Sequence, residues 1–478
     1  MKKQVFNPYL PSWEYVPDGE PYVYGDRLYV FGSHDQFNGR HFCPNDYVCW
    51  SAPIEDLSDW RMDGTIYRTV QDPDAKKDSF MQAPDVVQGP DGRFYLYYTL
   101  KLEPFMSVAV SDKLTGPYEY YGKVRLPNGH VIGSRKKELF QFDPGVFRDD
   151  DGRFYLYSGF APGGKGIFGI FTHMYQMAGA YVMELGEDML TVKTDLKLLI
   201  PGMDGTRGTG FEGHGFYEAS SMRKINGKYY FIYSSQLSHE LCYAVSHRPD
   251  SGFRFGGTIV SIGDVGLNGQ SWAVNYTGNT HGSLVKVKEQ WYVFYHRQTN
   301  RNLFSRQGCA EPITIEADGS IRQVEVTSCG LNGGPLKGKG EYSAHIACNL
   351  MGADGTYLYD QARKRQWKEH PYFTQTGVDR ENNPDQYIAN MKSGATAGFK
   401  YFDIQGLKRI AVWVSGSGRG EILIKTALDG KTLARIPVCA GAKKAWFSGV
   451  CQIPDGIRAL YFRFEGEGSI DFHAFELV

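Results

Sequence analysis

The chain has no long apolar run. Nowhere do about 18 consecutive apolar residues occur, so no stretch reads as a membrane-spanning helix. The first twenty residues, MKKQVFNPYLPSWEYVPDGE, carry two lysines but no apolar core of the kind an export signal needs, and the expected location is the cytoplasm. An excess of one charge is missing too: 52 Lys and Arg stand against 53 Asp and Glu, a net charge of −1. That balance gives no electrostatic footprint for nucleic acid or an anionic membrane. The eight cysteines (Cys43, Cys49, Cys242, Cys309, Cys329, Cys348, Cys439 and Cys451) show neither CxxC nor zinc-finger spacing. In a reducing compartment they read as free, mostly buried thiols and not as a disulfide framework.

What the chain has in quantity is aromatic residues and glycine, with 32 Tyr, 29 Phe and 57 Gly in 478 residues. Aromatic runs between glycine-rich turns favour strands, and the length exceeds that of one ordinary domain, so a two-domain all-β protein is expected. The clearest unit lies at residues 215–235, GFYEASSMRKINGKYYFIYSS: a glutamate, a short alternating strand, an Asn-Gly turn, then an aromatic strand. Four more stretches repeat it: PDGEPYVYGDRLYVFGSHD (17–35), APDVVQGPDGRFYLYYT (83–99), FDPGVFRDDDGRFYLYSG (142–159) and HGSLVKVKEQWYVFYHR (281–297). Successive copies begin roughly 60–75 residues apart, room for a four-stranded blade with its loops, and radial repetition of such blades is a β-propeller. Five copies imply five blades.

The innermost strand of each propeller blade starts near the central axis, so the polar residue heading each copy converges there. Counted back from Tyr29, Tyr95, Tyr155, Tyr230 and Tyr292, the heads are Asp18, Asp85, Asp143, Glu218 and His281. In the first copy spacing favours Asp18, while the proline that follows Glu20 keeps that residue as a rival. Carboxylates gathered in one funnel cannot all stay ionised; they either bind a metal or divide into acid and base roles.

The motifs FDPGVFRDDDG and YEASSMRKINGKYY, with the other three copies, resemble those of glycoside hydrolase family 43, whose members are five-bladed propellers. The resemblance covers about residues 5–335. It implies an inverting, exo-acting hydrolase that releases terminal α-L-arabinofuranosyl or β-D-xylosyl residues from (arabino)xylo-oligosaccharides. Carried over residue by residue, it makes Asp143 the residue that tunes and orients and Glu218 the general acid. The first site, Asp18-Gly19-Glu20-Pro21, departs from the family's Asp-Pro, so the general base is Asp18 by strand spacing or Glu20 by the proline after it, and the spacing favours Asp18. Asp85, His281, His34 and Arg297 are then candidates for holding sugar hydroxyls, and His281 is also the candidate ligand of a calcium or other ion on the axis. No organic cofactor is implied. Two rival readings remain: a non-catalytic sugar-binding propeller, against which all three carboxylate positions are filled, and another five-bladed carbohydrate enzyme such as a fructan hydrolase or glycoside phosphorylase. A phosphorylase needs a cluster of basic groups for phosphate, and Arg297 alone is thin support. Residues 164–177, GKGIFGIFTHMYQM with its flanks, read as a pocket rim or an ordinary blade-connecting loop.

Residues 330–340, GLNGGPLKGKG, read as a linker between a propeller over 1–335 and a second domain over 336–478. The period-2 runs at 399–416, 420–428 and 456–478 predict a β-sandwich of jelly-roll type. It resembles a family 6 carbohydrate-binding module or a non-binding relative. Trp413, Trp446 and Tyr387 are its candidate stacking residues; the alternative is a module that packs on the propeller and shapes one side of the pocket.

Overall fold

The computed structural model describes residues 3–164, 172–358, 368–379 and 385–478. Residues 165–171, half of the 164–177 stretch, therefore lie outside the described residues. Blade one comprises Glu20–Tyr24, Arg27–Phe31, Tyr47–Pro53 and Arg61–Tyr67, antiparallel in chain order. Blades two, three and four repeat this arrangement, beginning at Asp85–Gln88, Gly145–Arg148 and Phe216–Ile225. Blade five has three strands among the described residues: Leu284–Val287, Gln290–Gln298 and Arg306–Ile313. The N-terminal segment runs beside the last of these, where the Tyr9 N–H donates to the Gly308 carbonyl.

Alternation along the aromatic strands explains how the blades stick together. In Phe94–Tyr98, Tyr95 and Tyr97 enter the apolar core shared with blade three, whereas Leu96 and Tyr98 enter the one shared with blade one. Each blade is thus buried on both faces, and five inter-blade cores close the ring. At the axis the inner strands crowd together. A Cβ on Gly145 would lie 2.5 Å from the Ser220 carbonyl oxygen, and one on Gly282 would collide with the Phe294 carbonyl. Only glycine allows that approach.

The second domain is two packed sheets. One runs Leu336–Lys337, Thr396–Ile404, Gly456–Glu467, Arg419–Lys425, Ala434–Cys439, with Asn349–Met351 on Thr396–Ile404. The other runs Tyr372–Gln375, Gln386–Lys392, Ser469–Leu477, Arg409–Gly416, Ala445–Val450, with Gly340–Ser343 on Ser469–Leu477. The continuous runs at 399–416 and 456–478 each break in two and contribute one strand to each sheet. Gly468, at φ 71°, makes the second crossing.

The linker expected at 330–340 is not free chain. Leu336 is fully buried in the sandwich core and its strand pairs in parallel with Phe402–Asp403, because a leucine and a ladder of backbone hydrogen bonds gain more inside than in water. The two domains touch closely. Phe37 N–H donates to Asp379, Tyr15 OH to Gln375, and the Asn300 N–H to the Phe373 carbonyl. Arg297, expected to hold sugar, belongs to this contact. Its guanidinium donates to the carbonyls of Ala347 (2.9 Å) and His345 (2.8 Å) and lies 3.9 Å from the centre of the Phe373 ring. Arg297→Ala is therefore expected to lower the unfolding free energy in urea by about 2 kcal/mol while leaving the shape of the pH–activity curve unchanged.

Candidate active site

Strand register sorts the axial residues into layers. Opposite the shared tyrosines stand Tyr22, Val87, Phe147, Arg223 and Val285. Two residues back on the same face come Glu20, Asp85, Gly145, Ser221 and Ser283. Two further back lie Asp18, Asp143 and His281, with Glu218 joining them. Each step of two is about 6.6 Å along a strand. Asp18, Asp143, Glu218 and His281 therefore share a layer, and Glu20 and Asp85 lie one pleat deeper.

The backbone is bent to make that layer. Asp18, Asp143 and Ala219 all have positive φ, at 57°, 44° and 71°. Aspartate tolerates this region better than most residues, but alanine does so at a cost. At Ala219 the ladder slips between Glu218 and Ser221, a bulge that turns the Glu218 side chain away from its regular place in the strand. The Ala219 N–H freed by the bend donates to Asp143 Oδ2 at 3.1 Å, tying blades three and four together at the site.

Electrostatics separate the carboxyls. Asp18 is buried, which alone would raise its pKa, but Arg306 Nη1 at 2.9 Å holds it well below the usual carboxylate range. His296 Nε2 faces the Asn279 carbonyl at 2.8 Å and its Nδ1 accepts from the Asp18 N–H, which sets a neutral ring protonated at Nε2. Arg306 is nearly fully buried and also binds both oxygens of Asp35, at 2.8 and 3.0 Å, with Phe42 against its face. Glu218 has the opposite environment. Burial, then the neighbouring charge of Asp143, pushes its pKa up to about 8. Burial also raises Asp143, against the pull of His281 Nδ1 at 3.3 Å. Burial alone would lower His281, yet contact with Asp143 and the field of Asp18 take it up to about 9. Of the two neighbouring carboxyls, Asp143 is thus the anion and Glu218 keeps the proton. Phe142 and Tyr217, the residues before these two, both pack on Phe160, the first tilted at 5.1 Å and the second edge to face at 5.4 Å between ring centres.

Beneath lies a structural layer. Glu20 Oε2 pairs with Arg223 at 2.8 Å and accepts from Ser221 Oγ at 3.2 Å. Asp85, expected to line the pocket, instead accepts from Tyr22 OH (2.6 Å), its neighbour's N–H at Val86 and the Val146 N–H (2.7 Å). Burial and then Glu20 push its pKa up to about 8. Its bonds join blades one, two and three, and its depth comes from a head that begins its strand, where Asp18, Asp143 and His281 precede theirs. His34 is also displaced from the role expected of it: Nε2 meets Glu14 at 3.0 Å and Nδ1 the Asp46 carbonyl at 2.7 Å, so both ring nitrogens are engaged in the wall.

Sequence reasoning missed Arg306, His296 and Asp35. His296 and Asp35 adjoin the residues it selected, Arg297 and His34; the first pair lies in the strand Gln290–Gln298, where neighbours face opposite ways, and the second lies in the loop after Arg27–Phe31. Arg306 follows a polar loop, TNRNLFS, with nothing in its spacing to mark it.

His281 Nε2 is buried without a partner, as is Glu20 Oε1 one layer down. A calcium ion takes six to eight oxygens, and an imidazole protonated on both nitrogens binds none, so the residues fit an ion only with His281 deprotonated at Nε2 and water filling most of the shell. Among the described residues, the one cluster with three metal-type donors is His214, Glu240 and Cys242, whose thiol and imidazole do not suit calcium.

The sequence model of glycosyl hydrolases family 43 matches residues 14–321. The chain belongs to that family. It is 50% identical over 482 residues to a xylosidase/arabinosidase of Thermoclostridium stercorarium, covering 100% of this chain and 99% of that one. A family 43 β-xylosidase/α-arabinofuranosidase from a compost microbial metagenome, solved with xylotriose in a calcium-free form, is 25% identical. It covers 68% of this chain and 98% of its own at a TM-score of 0.52. A Bacillus subtilis family 43 arabinoxylan arabinofuranohydrolase bound to cellotetraose is 20% identical, has a TM-score of 0.51 and covers 99% of this chain and 97% of its own, a likeness of fold. As a family 43 member the chain is a glycoside hydrolase acting by single displacement with inversion.

Proposed function

We propose that this enzyme removes terminal β-D-xylosyl or α-L-arabinofuranosyl residues from short (arabino)xylo-oligosaccharides, with Asp18 as general base and Glu218 as general acid. The observation that carries the assignment is the opposite tuning of two buried carboxyls in one layer: Arg306 holds Asp18 ionised, and Asp143 with burial keeps Glu218 protonated. Glu218 gives its proton to the leaving oxygen while Asp18 takes one from a water that attacks the opposite face of the anomeric carbon. Asp143 serves as a positioning residue, supplying the charge that delays the ionisation of Glu218 and fixing the bulge that aims it. Where an ion is bound, His281 Nε2 would hold it, and its positive charge would act beside the sugar.

The test is hydrolysis of 4-nitrophenyl β-D-xylopyranoside and α-L-arabinofuranoside, with proton NMR of the sugar first formed. Xylose released from the β-xyloside is expected as the α-anomer, and Asp18→Asn is expected to lower kcat about 10²–10⁴-fold without loss of fold. Retention of configuration, or full activity of Asp18→Asn, would remove Asp18 from the role of base. Release that requires inorganic phosphate and yields a sugar phosphate would favour the phosphorylase reading.

A further inference from the structure

A cleft of about 330 Å³ lies between the two domains, walled by Asp264, Trp272 and Glu325 of the propeller and Asn349, Lys400 and Tyr461 of the sandwich. No residue of the catalytic layer lines it. Two features are unusual for a seam between domains. Trp272 leaves 59% of its surface exposed at the cleft, although indoles are normally covered. Asn349 is fully buried, yet neither its Oδ1 nor its Nδ2 has a hydrogen-bond partner. Its strand is held to Thr396–Ile404 by the backbone, so the ladder does not need the side chain. A buried amide with both halves unpaired is costly and calls for a partner that can give and take a hydrogen bond at once.

The floor is rigid. Lys400 Nζ lies 2.8 Å from Glu325 and 3.3 Å from Asp264, and Tyr401 OH donates to Glu325. Two carboxylates against one ammonium leave the cleft without the positive charge a phosphate or carboxylate ligand would need. A sugar suits all of these groups. The C–H face of a pyranose covers an indole, vicinal hydroxyls pair with both halves of one amide, and carboxylate oxygens accept from the remaining hydroxyls. The volume is at the lower end of the range for small-molecule sites.

We propose that this cleft is a second, non-catalytic binding site for neutral pyranose oligosaccharides, with Trp272 as the stacking surface and Asn349 as the hydroxyl reader. It would hold a glycan against the enzyme independently of the funnel.

The experiment is calorimetric titration of xylohexaose into the full chain carrying Glu218→Gln, which cannot be consumed by turnover at the acid. Two molecules are expected to bind per chain. Adding Trp272→Ala should remove one and leave the affinity of the other unchanged, while the same substitution in the active enzyme leaves hydrolysis of the nitrophenyl glycosides unaltered. Asn349→Leu, similar in volume, should weaken the cleft site at least about tenfold and keep or raise the thermal midpoint, since it removes an unpaired amide. A single site unaffected by Trp272→Ala overturns the proposal, as does an Asn349→Leu chain that melts higher but binds as before, which marks a cleft filled by water alone. Two sites on a chain whose parent cleaves neither nitrophenyl glycoside would support the cleft and count against the acid and base assignments, so the two readings fail separately.

Discussion

Glu218→Gln is expected to lower kcat on xylobiose by about 10²–10⁴-fold, and to cost much less on a 4-nitrophenyl xyloside. The difference follows from the leaving group. A xylose hydroxyl must be protonated as its bond breaks, whereas nitrophenolate departs without help, so a proton donor and a mere structural glutamate give different ratios. The pH profile supplies a second reading. Glu218 works only while protonated, and its pKa is pushed up to about 8, so activity of the parent should fall as pH rises through that value. The same shift affects stability. The unfolded chain releases this proton near the ordinary value of 4.5 while the folded chain keeps it to about 8, so the group makes folding progressively less favourable across that interval. Glutamine cannot ionise. The variant should therefore melt higher than the parent, by a margin that widens between about pH 5 and 8 in differential scanning calorimetry.

Arg306→Met should have the largest effect on the fold, about 3–5 kcal/mol in urea denaturation, because it leaves Asp18 and Asp35 buried with no cation between them. Methionine has a similar apolar stem and fits under Phe42, so lost packing is a minor part. Asp18 carries the diagnostic consequence. Its folded pKa is depressed, so in the parent its contribution to stability is present above the unfolded value and is lost only as pH falls toward the folded one. Without the guanidinium, burial is opposed by far less positive charge and that pKa rises. The acid limb of kcat/KM should then move to higher pH, with the base protonated where the parent is still active. Equal loss of activity at every pH would mean that Arg306 only supports the wall.

How much of this could be read in advance is seen best at the strand heads. The repeat of turn, strand and aromatic strand made five blades legible, because each copy writes out its own period-2 pattern and its own turn chemistry. Counting back from the shared tyrosines found Asp18, Asp143, Glu218 and His281 for the same reason. The count failed at Asp85, which the register of its strand places one pleat deeper than the other heads. His34 and Arg297, chosen for their places near strand ends, are held in the wall and in the contact between domains. Beside Arg297 it is His296 that meets Asp18, because one residue of parity decides everything in a strand, while Asp35 lies past the end of its strand and reaches the site through Arg306.

The sequence by itself determined the all-β architecture, the ring of five units, the second sandwich and the carboxyls that could carry an acid–base reaction. Those properties are local or periodic, and periodicity is written in the chain. Only the tertiary structure decided which carboxyl is ionised and which keeps its proton, that residues 330–340 dock through Leu336–Lys337 on the sandwich and are not a tether, and that Arg306, 288 positions from Asp18, is the cation at its side. A pKa is set by burial and by charges within a few ångströms, and those neighbours come from different blades. The same holds for the cleft beside Trp272, whose walls belong to two domains and acquire a shape only once the two are packed together.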